Sequence, residues 1–315
     1  MTNKDYRIVP YSEALNQPLL LFEKGIVQGG SIKLEIVKDH FLSRAIVFTN
    51  FQALLATDPQ QHIAGTAIGA QTTIEVNGNC MQAGFGFDAK IALNRRKMGL
   101  GTKLAQQMHG QFFEPNGLTK NYMTAKSSNI PVLKMISRAF SATWIYDFTY
   151  LTIPASARMR NAPISRQNHP KFGVRLFDQQ DVPGTYYTLF ESGLGHFHSF
   201  KMYRVKISSV APAYKFGLRL LKKCFRAKYG KLPGEGDTIS FSVLYNHAPH
   251  NLEGINEVLH DLQKRGISHL LVCCKKGDAI FHSLKSIAVN SYDYCLVSDF
   301  NLTNNDCVNI DARCL

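Results

Sequence analysis

Residues 81–113, MQAGFGFDAKIALNRRKMGLGTKLAQQMHGQFF, constrain this chain more than any other stretch. Up to Leu93 the run is apolar and strand-like, with glycines at 84 and 86. Basic and glycine residues follow at Arg95, Arg96, Lys97, Gly99 and Gly101. Beyond Gly101 the apolar residues Leu104, Met108 and Phe112 fall four apart, which predicts one face of a helix. A strand, a glycine turn and a helix N-terminus in that order make an anion site. Unpaired backbone N–H groups point outward, the helix dipole adds partial positive charge, and glycine lets a phosphate come close. The spacing from Arg96 to Gly101 is R-x-x-G-x-G, which is neither the P-loop G-x-x-x-x-G-K-[ST] nor G-x-G-x-x-G. The plainer alternative is a turn that serves only to start a helix.

The flanking residues place this stretch in a longer order of elements. Residues 51–57 and 62–76 flank Asp58-Pro59-Gln60-Gln61, the chemistry of a turn, and Asn77-Gly78 is a strong hairpin signal. Residues 51–93 therefore read as a three-strand antiparallel meander. Before it lie a short strand at 6–9, a Ser12-capped helix over 12–26 that Pro18 would break or kink, and a partly helical segment at 31–49. After it come a strand at 121–125, a helix at 130–139 with Pro131 in its first turn, and a strand at 143–152. At 315 residues the chain exceeds what one core usually holds, and 153–175, with three prolines and no acid, is the candidate boundary. Beyond it, a strand at 237–245, a helix through Leu252, Ile255, Val258, Leu259 and Leu262, a strand at 268–274, a helix at 278–289 and a strand at 292–300 repeat the layout of 81–152.

The R-x-x-G-x-G loop resembles the pyrophosphate loop of the GNAT superfamily of acetyl-CoA-dependent N-acyltransferases. NRRKMGLGTKL at 94–104 and NGLTKNYMTAKSSNIPVLKMI at 116–136 are similar to the two-domain hookless-type members of that superfamily. The resemblance implies an α/β (α+β) fold of two GNAT-like domains, each a mixed central sheet flanked by helices. These would be an acyl-CoA-binding domain at 1–152, a linker at 153–175 and a degenerate second domain at 176–315. It implies acetyl-CoA as co-substrate: Ile91 and Leu93 offering backbone groups to pantetheine, Arg96, Lys97, Met98, Gly99, Leu100, Gly101 and Thr102 surrounding the pyrophosphate, and Asn129 contacting CoA. Many members carry a tyrosine one turn into the last helix that protonates the leaving thiolate. Ile136 stands at the matching position, which leaves water, Tyr122 or Tyr146 for that role. Asp88 is the first choice for the general base, with Glu75, His62 and His109 behind it, and an exposed or hairpin-side carboxylate is the plainer reading of Asp88. The matching turn of the second half, Tyr245-Asn246-His247-Ala248-Pro249-His250-Asn251, has a proline and bulky residues where phosphate needs bare amides. His247 and His250 read as turn residues rather than metal ligands.

The implied activity is transfer of an acetyl group to a primary amine of unknown identity, and the alternative is a non-catalytic acyl-CoA-binding module on the same scaffold. The net charge of +13 favours anionic partners, and residues 201–231 hold ten Lys/Arg and no acid. Within it, Tyr214, Leu218, Leu221 and Phe225 recur at helical spacing, so 214–229 reads as a basic amphipathic helix, either a docking face for a polyanion or a solvated surface. No apolar run reaches 18 residues, the first residues lack a signal-peptide core, and the seven cysteines form no C-x-x-C pair. A cytoplasmic protein with reduced thiols is the expectation.

Overall fold

A computed structural model describes residues 6–26, 28–29, 32–76, 79–140, 143–160, 174–177, 185–199, 203–212, 215, 234–245, 247, 251–302 and 308–310. The meander forms as its alternation predicts: β4 (Phe51–Thr57), β5 (Ile63–Val76) and β6 (Asn79–Ile91) pair antiparallel, with β1 (Arg7–Pro10) outside β4. Next, α2 (Leu100–Met108) leads to β7 (Asn121–Lys126), which lies parallel to β6, and α3 (Ile130–Ala139) leads to β8 (Trp144–Pro154). The second half supplies β10 (Thr185–Leu189), β11 (Gly195–Ser199) and β14 (Phe241–Tyr245), then α4 (Ile255–Lys264), β15 (His269–Cys274) parallel to β14, α5 (Ala279–Lys285) and β16 (Asn290–Ser298).

All of these strands join one sheet, in the order β1-β4-β5-β6-β7-β16-β8-β15-β14-β11-β10. At its centre the halves exchange strands. The second half's last long strand, β16, pairs antiparallel with β7 and β8, and the first half's β8 pairs antiparallel with β15. A smaller sheet is shared too: β3 (Ile32–Val37) of the first half pairs with β12 (Arg204–Val210) of the second. The reading of 31–49 as partly helical therefore holds only for its middle, and its first part is a strand. The β-branched, alternating sequence of 32–37 finds a partner strand far along the chain, and only Phe41–Arg44 form a 3-10 turn. The first helix is α1 (Asn16–Lys24), in which Pro18 neither breaks nor kinks the chain, because it sits in the first turn where its missing N–H has no intrahelical acceptor to lose.

Strand alternation divides the core into two layers. On one face Leu104 and Met108 of α2, Ile136 of α3, and Ile255, Leu259, Leu262, Ile280 and Leu284 of α4 and α5 pack on the sheet. On the other face one aromatic-rich layer runs across both halves, from Phe85, Phe87 and Tyr122 through Tyr146 and Phe148 to Phe197 and Val243. It is covered by Leu19 of α1 and by Phe41, Ala45 and Phe48 around the 3-10 turn. No helix among the described residues is long and apolar enough to cross a membrane. The predicted helix 214–229 lies outside the described residues, apart from Lys215, whose ammonium meets Glu235 at 2.6 Å.

Candidate functional site

The parallel strands β6 and β7 pair only at Gly84–Asn121, Phe85–Tyr122 and Gly86–Met123. On its other side β7 pairs with β16 from Tyr122 through Lys126, whereas β6 continues beyond Gly86 to Ile91 against β5 alone. The two strands thus splay, and the β6 edge from Phe87 to Ile91 has no partner strand on the side of the opening. A bulge creates this divergence. Thr66 pairs with Lys90 and Ile68 with Phe87, so Asp88 and Ala89 oppose the single residue Ala67. Asp88 adopts φ 48°, a left-handed conformation that aspartate tolerates better than most residues.

The loop after β6 ends in two left-handed residues, Lys97 at φ 67° and Gly99 at φ 76°, the second being the N-cap of α2. Gly99 brings no side chain to cap the helix, and α2 has no acid in its first turn. Its first N–H groups and its positive dipole end therefore face the loop. The basic side chains differ in how they are held. Arg95 reaches the buried Asp58 carboxylate at 3.5 Å, Arg96 donates to the Ile91 carbonyl at 3.3 Å, and Lys103 donates to the Tyr6 carbonyl at 2.6 Å. Lys97 is exposed and has no partner among the described residues.

The predicted cofactor residues line this opening in different ways. Leu93 is 66% exposed at the rim, Met98 takes the Tyr6 hydroxyl at 3.9 Å, and Thr102 is half-buried in the first turn of α2. Leu100 is buried, so only its backbone faces the loop. Ile91 is half-buried against the α2 layer. A Cβ on Gly101 would meet the Met135 sulfur at 2.7 Å, so the bare backbone there serves close packing of α2 on α3. Across the opening, β7 ends at Lys126, and Asn129 is the exposed N-cap of α3, its side chain making no capping bond. Ile136, where the thiolate acid was sought, is buried and apolar. Of the substitutes, Tyr122 is buried with its hydroxyl 3.1 Å from Thr72, and Tyr146 is buried beneath the Lys275 ammonium. His62 is exposed beside Asp58, His109 stacks edge-on against Phe140, and Glu75 is half-buried in β5 away from the bulge.

Asp88 is no hairpin-side carboxylate. Its side chain is buried, with Lys38 at 2.8 Å on one oxygen and Arg44 at 2.5 Å on the other. Burial alone would raise its pKa, but the charges of Arg44, Lys38 and Lys90 outweigh it and hold the carboxyl far below the usual range. So weak a base is poorly matched to taking a proton near neutral pH. Lys38 also meets Glu23 of α1 at 3.1 Å, and Lys90 pairs with the same Glu23. This network is not legible in the sequence, because its members lie far apart and only the tertiary fold gathers them. The one local clue is a lysine in the apolar run IVKDHF.

The matching turn of the second half has a different chemistry. α4 also begins at a left-handed glycine, Gly254 at φ 83°, but the Ser192 hydroxyl lies 2.2 Å from where its Cβ would stand. Glu257 puts a carboxylate in the first turn. A serine fills the approach and an acid already faces the dipole, which disfavours phosphate there. His247 is buried with Nε2 2.7 Å from the Cys273 carbonyl, and His250 lies outside the described residues. Among the described residues no group of three or more His, Cys, Asp or Glu could hold a metal. Cys273, Cys274 and Cys295 are buried free thiols, and Cys80 is an exposed one.

No protein-family model matches the sequence. No curated protein matches it. Solved structures do: Saccharomyces cerevisiae N-myristoyltransferase with bound myristoyl-CoA aligns over 96% of this chain and 87% of that one, with TM-score 0.59 at 7% identity. The same yeast enzyme with bound myristoyl-CoA and inhibitors aligns over 98% and 87%, again with TM-score 0.59 at 7% identity. The chain therefore shares the fold of that enzyme, a mixed α/β fold whose large central sheet is flanked by helices.

Proposed function

We propose that this chain is an acyl-CoA-dependent N-acyltransferase that moves an acetyl group to a primary amine. Residues 1–152 hold the acyl-CoA and residues 176–315 shape the acceptor side. The observation that carries this reading is the continuity of one surface: the open β6 edge runs through left-handed Lys97 and Gly99 into the uncapped N-terminus of α2. That surface matches a ligand with an amide-bearing arm and a pyrophosphate. The strand edge pairs with the arm, the loop amides and Lys97 take the phosphate charge, and Asn129 closes the far rim. The likeness in fold to an enzyme whose structure holds myristoyl-CoA supports acyl-CoA as the donor class.

A short acyl group fits the inner end of the opening. There Met123 packs over Gly86 on the α3 face, its Cε 3.0 Å from where a Cβ would stand, and on the opposite face the Phe85, Phe87 and Tyr122 rings stack at 5.1 and 5.0 Å. In the transfer the amine nitrogen bonds to the acyl carbon and the carbon–sulfur bond breaks. The amine proton leaves to water and the thiolate takes one from water, since Ile136 offers none and Asp88 is committed to its cations.

Thiol release from acetyl-CoA over a panel of primary amines tests the reading. Gly99→Val should weaken acetyl-CoA binding at least ~10-fold, about 1.4 kcal/mol by calorimetry, because a β-branched residue is strained at that φ and covers the amides. Unchanged affinity in a folded variant would remove the assignment of the loop. A second reading, a non-catalytic acyl-CoA-binding module, draws support from the buried Ile136 and the ion-paired Asp88. Tight acetyl-CoA binding without thiol release for any amine would favour it.

A further inference from the structure

The aromatic face of the sheet, opposite α2 and α3, carries a cluster that the donor site does not use. Two acids, Glu23 and Asp88, are ion-paired there with three cations, Lys38, Lys90 and Arg44. The group as a whole is cationic by one charge, and it stands at the bulge where the two strands part. Arg44 forms its outer edge. The guanidinium lies 5.5 Å from the ring centre of Phe87 and 5.5 Å from that of Tyr203, which belongs to the second half.

From Arg44 a row of half-buried tyrosines crosses to the other side of the opening. Tyr150 of β8 and Tyr294 of β16 have ring centres 5.8 Å apart, and both pack on the same aromatic layer as Tyr203, which stands beside Arg44. Burial pushes the phenols of Tyr150 and Tyr203 up, and that of Tyr294 up to about 12, so all three stay protonated and can donate hydrogen bonds. Tyr294 stands opposite Lys126 in the β7–β16 register, and the exposed Lys126 ammonium lies 5.2 Å from the Tyr292 ring centre. Two acids close in sequence to these elements are turned elsewhere: Asp39 holds Arg204 at 2.7 Å, and Asp293 faces the opposite side of the sheet, where it meets Lys276 at 2.9 Å.

We infer that Arg44, the tyrosine row and Lys126 form the acceptor subsite, and that the acceptor is an amine carrying a carboxylate. A guanidinium at one end and an ammonium at the other supply positive charge and donors only, the protonated hydroxyls between them can donate as well, and a carboxylate accepts from all of them. An acceptor with a second positive charge meets the same cations as repulsion.

This inference rests on the acyltransferase reading, and the experiment separates the two. Thiol release from acetyl-CoA is measured with matched amines, each as the free acid and as its carboxamide. The expected result is a preference for the acid of at least ~10-fold in kcat/KM, about 1.4 kcal/mol, read mainly in KM. Lys126→Gln, on an exposed side chain, should reduce that preference several-fold without changing acetyl-CoA affinity, and Arg44→Gln should abolish it. Turnover with equal or better rates for the carboxamides overturns the acidic-acceptor assignment and leaves the acyltransferase reading standing. If no amine turns over, calorimetry with the N-acetylated acids and their carboxamides decides the subsite alone. Selective binding of the acids, weakened by Lys126→Gln, upholds it, and its absence overturns it.

Discussion

Asp88 combines three properties that single residues seldom share: a left-handed backbone, a buried carboxylate and two cations on its separate oxygens. Each explains the next. The bulge needs a residue that accepts positive φ, aspartate is among the few that do, and its charge is tolerable inside only because Lys38 and Arg44 reach it. Asp88→Asn keeps the shape but leaves three cations facing one acid. It should destabilise the fold by about 3–5 kcal/mol at pH 7 in denaturant titrations. The pH dependence follows from the depressed pKa: the contribution of Asp88 is present above its unfolded value near ~3.9 and is lost as pH falls toward the folded value. The gap between wild type and variant should therefore narrow below about pH 4, and a constant gap would mean that the carboxylate charge is not what stabilises the bulge. Nothing in the local sequence distinguishes this from an ordinary strand aspartate. GFGFDAKI names the strand, whereas the bulge and the ion pairs depend on β5 and on residues 38 and 44.

Between elements, the glycines of the loop separate into two kinds. Gly99 is needed for its φ and its bare approach, Gly101 for the 2.7 Å gap to Met135 that seats α2 on α3. The motif R-x-x-G-x-G gives both the same letter, and only the helix–helix contact tells them apart. Gly101→Ala should weaken acetyl-CoA binding indirectly, by pushing α3 and Asn129 outward, and adding Met135→Ala should restore most of the loss. Additive losses in that double-mutant cycle would instead put Gly101 at the ligand. Met123 makes a parallel case at the inner end of the opening, beside a small crevice lined by Ile136, Phe140 and Val297. Met123→Ala should join that crevice to the opening and shift donor preference from acetyl-CoA toward longer acyl-CoA, measured as thiol release across a chain-length series. No shift would mean that chain length is set elsewhere. The meander, α2, β7, α3 and β8 were legible because each carries its own periodicity or cap. β3 was not, since its pairing partner lies in the other half.

At the scale of the whole molecule the reciprocal exchange of β8 and β16 governs how the chain must fold. β8 gives Tyr146 and Phe148 to the aromatic layer and Leu151 and Ile153 to the core under α4 and α5, and β16 gives Leu296 to the first and Cys295 and Val297 to the α3 side. Neither half closes its own sheet. Without β15 and β16, β7 has no neighbour beyond Met123 and β8 has none at all, which exposes strand edges and apolar faces to aggregation. The element order alone suggests two consecutive units, because sequence patterns report strands and say nothing of which half a strand completes. The contacts observed make the units interdependent, so chemical denaturation should give one transition by both fluorescence and circular dichroism, despite a length at which two are common. A sharper test divides the chain between residues 160 and 174. Fragment 1–160 should not bind acetyl-CoA by itself, although it contains the whole loop. Mixing it with fragment 174–315 during refolding should recover binding, since β16 then restores β7 and holds α3 against the opening. If fragment 1–160 unfolds cooperatively and binds acetyl-CoA alone, the exchange is dispensable and the donor site is the property of one half.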